Sequence, residues 1–150
     1  MTTTTRPINA LNLPELKPLL DESLSEGYEF VQRLWNEYEN GILRFDGTGE
    51  ALLGVYEDDR LIAIGGLHPD PYLNDSAIGR IRHVYVLNTY RGKGIGRRLL
   101  DALIDSAKAH YHTLTLRTLT PDAIAFYNAI GFKNTPQYQN ATHWLELQES

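Results

Sequence analysis

The sequence contains no cysteine. Its absence excludes disulfide staples, thiolate metal sites and a cysteine nucleophile, and fits a reducing, cytoplasmic setting. Long apolar runs are missing too. The longest, Leu61 to Leu67, falls far below the roughly 18 residues that a membrane span needs, so no membrane partner is expected. Met1 to Thr5 are polar and lead into Arg6-Pro7, without the apolar stretch of a secretory leader. Excess positive charge is lacking: 14 Lys and Arg face 19 Asp and Glu, a net charge of −5, which argues against a nucleic-acid-binding surface. What remains is ordinary globular material, 42% hydrophobic and 22% charged over 150 residues. That suffices for a core without staples and suits one domain spanning 1–150.

Periodicity places the elements. Leu16, Leu19, Leu20 and Leu24 recur at helical spacing over Leu13 to Leu24, with Pro14 in the first turn, where a missing N–H is harmless. A second amphipathic helix runs from Tyr28 to about Asn40 and ends at Asn40-Gly41. Ala51 to Tyr56 and Leu61 to Leu67 read as a hairpin around the polar turn Glu57-Asp58-Asp59-Arg60. Gly65-Gly66 in its second strand marks a bulge or a close backbone approach. After a Pro-, Asp- and Asn-rich loop, Ala77 to Leu87 reads as a strand. Ile95, Leu99, Leu103 and Ala107 then form the stripe of a strong helix. Thr113 to Leu119 alternates as a strand. A short helix has Thr120 as N-cap, Pro121 at N1 and Gly131 at its end, and Trp144 to Leu147 reads as a last strand. A further short strand is expected at Arg6 to Leu11. This order predicts an α/β arrangement, a sheet covered by helices.

Arg91-Gly92-Lys93-Gly94-Ile95-Gly96 lies between a strand and a helix start. Glycines let a ligand approach the backbone, and a helix start offers unpaired N–H donors and a positive dipole end. Arg91, Lys93, Arg97 and Arg98 add charge, so the segment suits a phosphate; a tight turn that binds nothing is the plainer alternative. No Gly-Lys-Ser/Thr ends it, as a P-loop requires, and the spacing G-x-G-x-G is not the dinucleotide fingerprint.

Val84-Tyr85-Val86, then Arg91-x-x-Gly94-x-Gly96 and Leu99-Leu100, resembles motif A of the GNAT acetyltransferase superfamily (R/Q-x-x-G-x-G/A). Ala125-Phe126-Tyr127 followed by Gly131-Phe132 resembles its motif B. The resemblance covers nearly the whole chain, with specific motifs in residues 84–132. It implies a mixed, mostly antiparallel twisted sheet flanked by about four helices. It also implies acetyl-coenzyme A as donor, coenzyme A as product, and direct attack by the primary amine of a small molecule through a tetrahedral intermediate. A protein amine as acceptor, or a coenzyme-binding regulatory domain without turnover, are the other readings. Related domains often pair, which admits a homodimer.

By position, the backbone of Val84-Tyr85-Val86 would hold the pantetheine arm. The amides of Gly92, Lys93, Gly94, Ile95 and Gly96, with Arg91 and Arg97, would hold the pyrophosphate. Thr120 stands where many relatives have an asparagine touching the coenzyme. Tyr127 matches the family tyrosine that protonates the leaving thiolate; a phenol of ordinary pKa near 10 can donate at neutral pH, though core packing against Ile124 and Ile130 would also explain it. Where several members carry a glutamate or histidine as base, this chain has Arg82 and Arg80, and a guanidinium cannot act as one. Strict alternation would turn both toward the acceptor cleft and His83 away. His83 is a candidate base or a packed histidine. His68, Asp70, Tyr85 and a water chain are further candidates. Arg82, with Arg80 or Arg117, suits an anionic end of the acceptor or an internal pair with Asp70 or Asp75. Asp70 and Tyr72 complete the acceptor-site expectation, with Phe45 and Trp35 as further aromatics. No metal is expected.

Overall fold

A computed structural model describes residues 2–147. In chain order the elements are β1 (Thr3–Pro7), α1 (Leu13–Ser25), α2 (Phe30–Asn40), β2 (Ala51–Glu57), β3 (Arg60–Pro69), β4 (Ile78–Val86), α3 (Ile95–Ala107), β5 (Thr113–Leu116), α4 (Pro121–Ile130) and β6 (His143–Glu146). A single 3-10 turn, Asn88–Tyr90, sits between β4 and α3. The six strands form one sheet in sequence order. Every neighbouring pair is antiparallel except β4 and β5, which are parallel and joined through α3.

The helical stripes fold as their spacing demands. Leu16, Leu19 and Leu20 of α1, Val31 and Leu34 of α2, and Ile95, Leu99, Leu100 and Leu103 of α3 are all buried in one core. Burying each such leucine contributes roughly 1.5–3 kcal/mol relative to exposure. Gly65 and Gly66 show why β3 needs glycine, since a Cβ on Gly65 would lie 2.9 Å from Leu103 and one on Gly66 2.7 Å from Phe45. Those two directions define the faces: α3 covers one side of the sheet, and the Phe45 segment covers the other with α2.

Three expected boundaries move. The first strand is Thr3–Pro7, not Arg6 to Leu11, because the threonines have the β-branched preference for a pleated edge and pair with β2 as far as Leu53. The fifth strand stops at Leu116, short of Leu119, where the Thr118 amide turns aside to Thr142 Oγ1 (3.0 Å) and Leu119 is 70% exposed. The last strand is His143–Glu146. The pairing of β5 with β4 is shorter still, ending at Thr115.

Candidate active site

β4 and β5 pair only through Ile78–Arg80 and Thr113–Thr115. From Ile81 to Val86, β4 continues with no strand paired on its β5 side among the described residues. The Leu87 amide donates to the Ile62 carbonyl (2.9 Å), toward β3. By strand alternation, Val84 and Val86 therefore aim their amides and carbonyls into the gap. Arg91 Nε already bonds the Val86 carbonyl at 2.9 Å.

A bulge interrupts β4. Gly66 pairs with Arg82 and Ile64 with Tyr85, so Gly65 alone stands opposite His83 and Val84. His83 takes a left-handed φ of 62°. The extra residue resets parity and corrects the expectation that His83 faces away from Arg82. His83 Nδ1 lies 3.0 Å from the Phe30 carbonyl, and its ring is edge-on to Phe45 (6.2 Å), as is that of His68 (5.9 Å). Arg82 Nη1 is 3.4 Å from His68 Nε2, on the same side. Val84 and Val86 project the other way, toward Gly65 and Gly96 beside α3.

The glycine segment is open. Gly92 (φ 76°) and Gly94 (φ 80°) are left-handed, and a Cβ on either would meet nothing within 4 Å. Backbone conformation, not packing, demands glycine there. Gly94 caps α3 without any side-chain hydrogen bond, and the first helical bond runs from the Arg98 amide to the Gly94 carbonyl (3.1 Å). The amides of Ile95, Gly96 and Arg97 thus lack helical partners. Gly96 is glycine for another reason, because the Phe126 ring of α4 lies 3.2 Å from where its Cβ would be.

The cations around this segment are mostly engaged. The Arg91 fork holds Glu26 (2.8 and 3.0 Å), Arg97 pairs with Asp101 (3.2 Å), and Arg98 bonds Thr3. Lys93 is exposed, its Nζ 5.7 Å from the Tyr90 ring centroid. The Arg91 and Arg97 side chains are therefore turned to protein carboxylates.

Tyr127 is 7% exposed, in edge contact with Phe126 (5.1 Å) and Phe132 (5.6 Å), and its hydroxyl has no hydrogen-bond partner among the described residues. Burial raises its pKa, so the phenol keeps its proton at neutral pH. Thr120 is half-buried at the α4 N-cap and makes no side-chain cap bond.

The opposite face of β4 holds a polar cluster. Asp70 accepts from the Thr115 hydroxyl and the Tyr72 amide (2.8 Å), and its Oδ2 lies 3.5 Å from Arg80 Nη1. Arg80 Nη2 donates to the Asn140 carbonyl (2.7 Å), and its guanidinium lies 5.0 Å from the ring centroid of half-exposed Tyr72. Burial and then the Arg82 charge lower His68 to about 4 and His83 to about 3, so both are neutral at pH 7. His83 Nε2 is buried without a partner. Arg117 is exposed and has no side-chain hydrogen bond or ion pair among the described residues. Trp35 is half-buried against the core.

Glu22 and Glu26 were not among the expected site residues. The Tyr85 hydroxyl lies 2.7 Å from Glu22 and 2.6 Å from Glu26, and the Asn88 amide donates to Glu22 (2.7 Å). Their spacing of one helical turn at the end of α1 is the only signal the sequence offers.

The sequence matches the model of the acetyltransferase (GNAT) family over residues 14–132. A candidate acetyltransferase of known structure from Exiguobacterium sp. 255-15 superposes with a TM-score of 0.84 at 31% identity, covering 97% of this chain and 94% of that one. A GNAT family N-acetyltransferase from Escherichia coli, solved in complex with CoA, has the same fold, with a TM-score of 0.71 at 19% identity over 97% of this chain and 82% of that one. N-alpha-acetyltransferase RimI of Mycobacterium tuberculosis is 46% identical over 44 residues, 29% of this chain. The matched region spans about a quarter of the length of the curated relatives, 26% and 28%.

Proposed function

The chain belongs to the GNAT acetyltransferase family, and from that premise we propose that it moves the acetyl group of acetyl-coenzyme A to the primary amine of a small molecule. One juxtaposition carries the reading: an unpaired β4 edge beside a row of amides without helical or side-chain cap partners at the start of α3, preceded by the open Gly92 and Gly94. An amide-bearing arm fits an open strand edge, and a pyrophosphate fits a helix N-terminus. The residues suit the coenzyme, since Gly92 and Gly94 leave free space where any Cβ would project.

Acetyl-coenzyme A would supply a thioester open to attack by an uncharged amine. The Val84 and Val86 backbones would align the arm and donate to a carbonyl oxygen as it gains negative charge. The Gly92 to Gly96 amides, helped by Lys93, would hold the phosphates. Tyr127, kept protonated by burial, would hold at its phenol oxygen the proton that the departing sulfur needs. His83 and His68 are poor bases for this chemistry, with values near 3 and 4. The amine proton would leave through water, and His83 serves as a packed residue fixing β4 to α2 through Phe30.

The test is direct. Acetyl-coenzyme A at 100 times its Kd should stabilise the protein by about 2.7 kcal/mol, read as a rise in Tm, and thiol release should follow on a panel of amines. No rise in Tm removes the donor site. Binding without thiol release would make the chain a coenzyme-binding regulatory domain. A protein N-terminus as acceptor is the second reading, favoured by the local identity to RimI; peptides in the panel separate it.

A further inference from the structure

β4 presents two arginines to the acceptor side, and their situations differ. Arg80 is 5% exposed; its Nη2 donates to the Asn140 carbonyl (2.7 Å), and its buried Nη1 makes no hydrogen bond among the described residues but is ion-paired with Asp70 (3.5 Å). Arg82 is half-buried and reaches solvent. Its polar partner is the neutral ring of His68 at 3.4 Å, and it makes no salt bridge among the described residues. Asp70 is taken up by Arg80, Thr115 and the Tyr72 amide. Asp75 is turned to the Ala77 amide (2.9 Å) and to His112 (3.8 Å). The cluster thus sets Arg80 and Arg82 against Asp70, with both histidines uncharged, and keeps one uncompensated positive charge. That charge stands out on a chain whose net charge is −5.

A half-buried guanidinium with no carboxylate of its own is a binding group for planar or tetrahedral anions, which its fork can hold by two hydrogen bonds. Its distance from the reaction is short. Arg82 precedes Val84 by two positions across the bulge, and Val84 fronts the gap where the acyl group would lie. One small molecule can span that distance. The positive charge also disfavours the protonated amine, which leaves more of the reactive neutral form.

Resting on the transferase reading, we infer that the acyl acceptor is an amine that also carries an anionic group, a carboxylate or a phosphate, bound by Arg82. Arg80, Asp70 and Thr115 hold the wall from which it projects.

The test uses matched amines that differ in the anion: amino acids against their carboxamides, and phosphoethanolamine against ethanolamine, each with acetyl-coenzyme A and thiol release as readout. The expected result is a preference in kcat/KM for the anionic member of one series, on the order of 10- to 100-fold, and the series that responds distinguishes carboxylate from phosphate. Arg82→Gln should erase that preference by raising KM for the anionic member. Arg82→Lys, which keeps the charge without the fork, should retain part of it. Equal turnover of both members, or a preference that survives Arg82→Gln, overturns the inference. If no amine is turned over, the transferase reading falls, and calorimetric titration of the coenzyme A-saturated protein with the same pairs decides the anion site alone. Tighter binding of an anionic member by the wild type than by Arg82→Gln then supports the site. Indistinguishable titrations overturn it.

Discussion

Two tyrosine hydroxyls near the β4–β5 gap differ in what surrounds them. Tyr85 reaches two carboxylates, and its single proton binds it into a network with Glu22, Glu26 and Arg91. Tyr127 is buried by aromatic rings and its hydroxyl has no partner among the described residues. An unpartnered hydroxyl adds nothing to folding, so its removal should leave Tm unchanged or slightly higher. Tyr127→Phe should lower kcat by about 100-fold, the scale of a positioned proton donor, while coenzyme affinity changes little. Steady-state kinetics with a coenzyme titration check this. A variant with wild-type kcat would leave Tyr127 a packing residue between Phe126 and Phe132.

At the scale of elements, the end of α1 is tied to the strand that fronts the gap. Glu26 accepts both arms of Arg91, which also binds the Val86 carbonyl, and Glu22 accepts the Asn88 amide just before the glycine segment. The hydrogen bond from Arg91 holds the Glu26 carboxyl below its usual 4.5, against a smaller opposing effect of burial. A depressed carboxyl stabilises the fold above its unfolded pKa and loses that contribution as pH falls through the folded value. Glu26→Gln should therefore lower Tm at pH 7, and the difference from wild type should shrink below about pH 4.5. Thermal melts from pH 7 to 3 check it; a constant gap would mean that the ion pair contributes nothing. Little of this tie is legible in the sequence, because it joins residues far apart in the chain. The helices were legible, since Leu16, Leu19 and Leu20 or Leu99 and Leu103 declare their faces by spacing alone. The glycine segment was legible for the same reason, being local. Strand parity was not. Gly65 and Gly66 signalled a disturbance, but only the pairing of β3 with β4 reveals that the extra residue is His83, in a left-handed conformation that favours glycine. The reach of β5 was also misread, because Thr113 to Leu119 keeps alternating past Leu116, where pairing stops. Beyond Leu116 the Thr118 amide bonds the Thr142 hydroxyl instead of continuing the strand, and the pairing with β4 has already stopped at Thr115.

Across the whole molecule, the sheet separates two environments, a core packed on α3 and a polar cleft under α2. The cleft is the costlier one to maintain, because it holds His68 uncharged near Arg82, Arg80 and Asp70, and His83 uncharged near Arg82 and, more weakly, Arg33. Burial lowers them to about 4 and about 3 from the ordinary 6.5. Between those values the unfolded chain binds protons that the folded one refuses, so unfolding gains as the solution is acidified. The histidine-dependent stability is fully present above about pH 6.5 and declines below it, by up to about 1.4 kcal/mol per pH unit for each histidine. This window opens above the one governed by Glu26, so the decline between about pH 6.5 and 4.5 belongs to the histidines and the two overlap only below it. Urea unfolding from pH 7.5 to 5 should show stability falling with acid, and His68→Gln should flatten the decline. His68 is the better probe, since His83 Nδ1 also anchors the Phe30 carbonyl and its replacement would disturb α2. A wild-type profile flat from pH 7.5 to 5 would mean that the histidines stay hydrated and that the cleft is wetter than its packing implies. An anion bound at Arg82 would offset the charge that helps depress both rings, so acidification should destabilise the liganded protein less steeply than the free one.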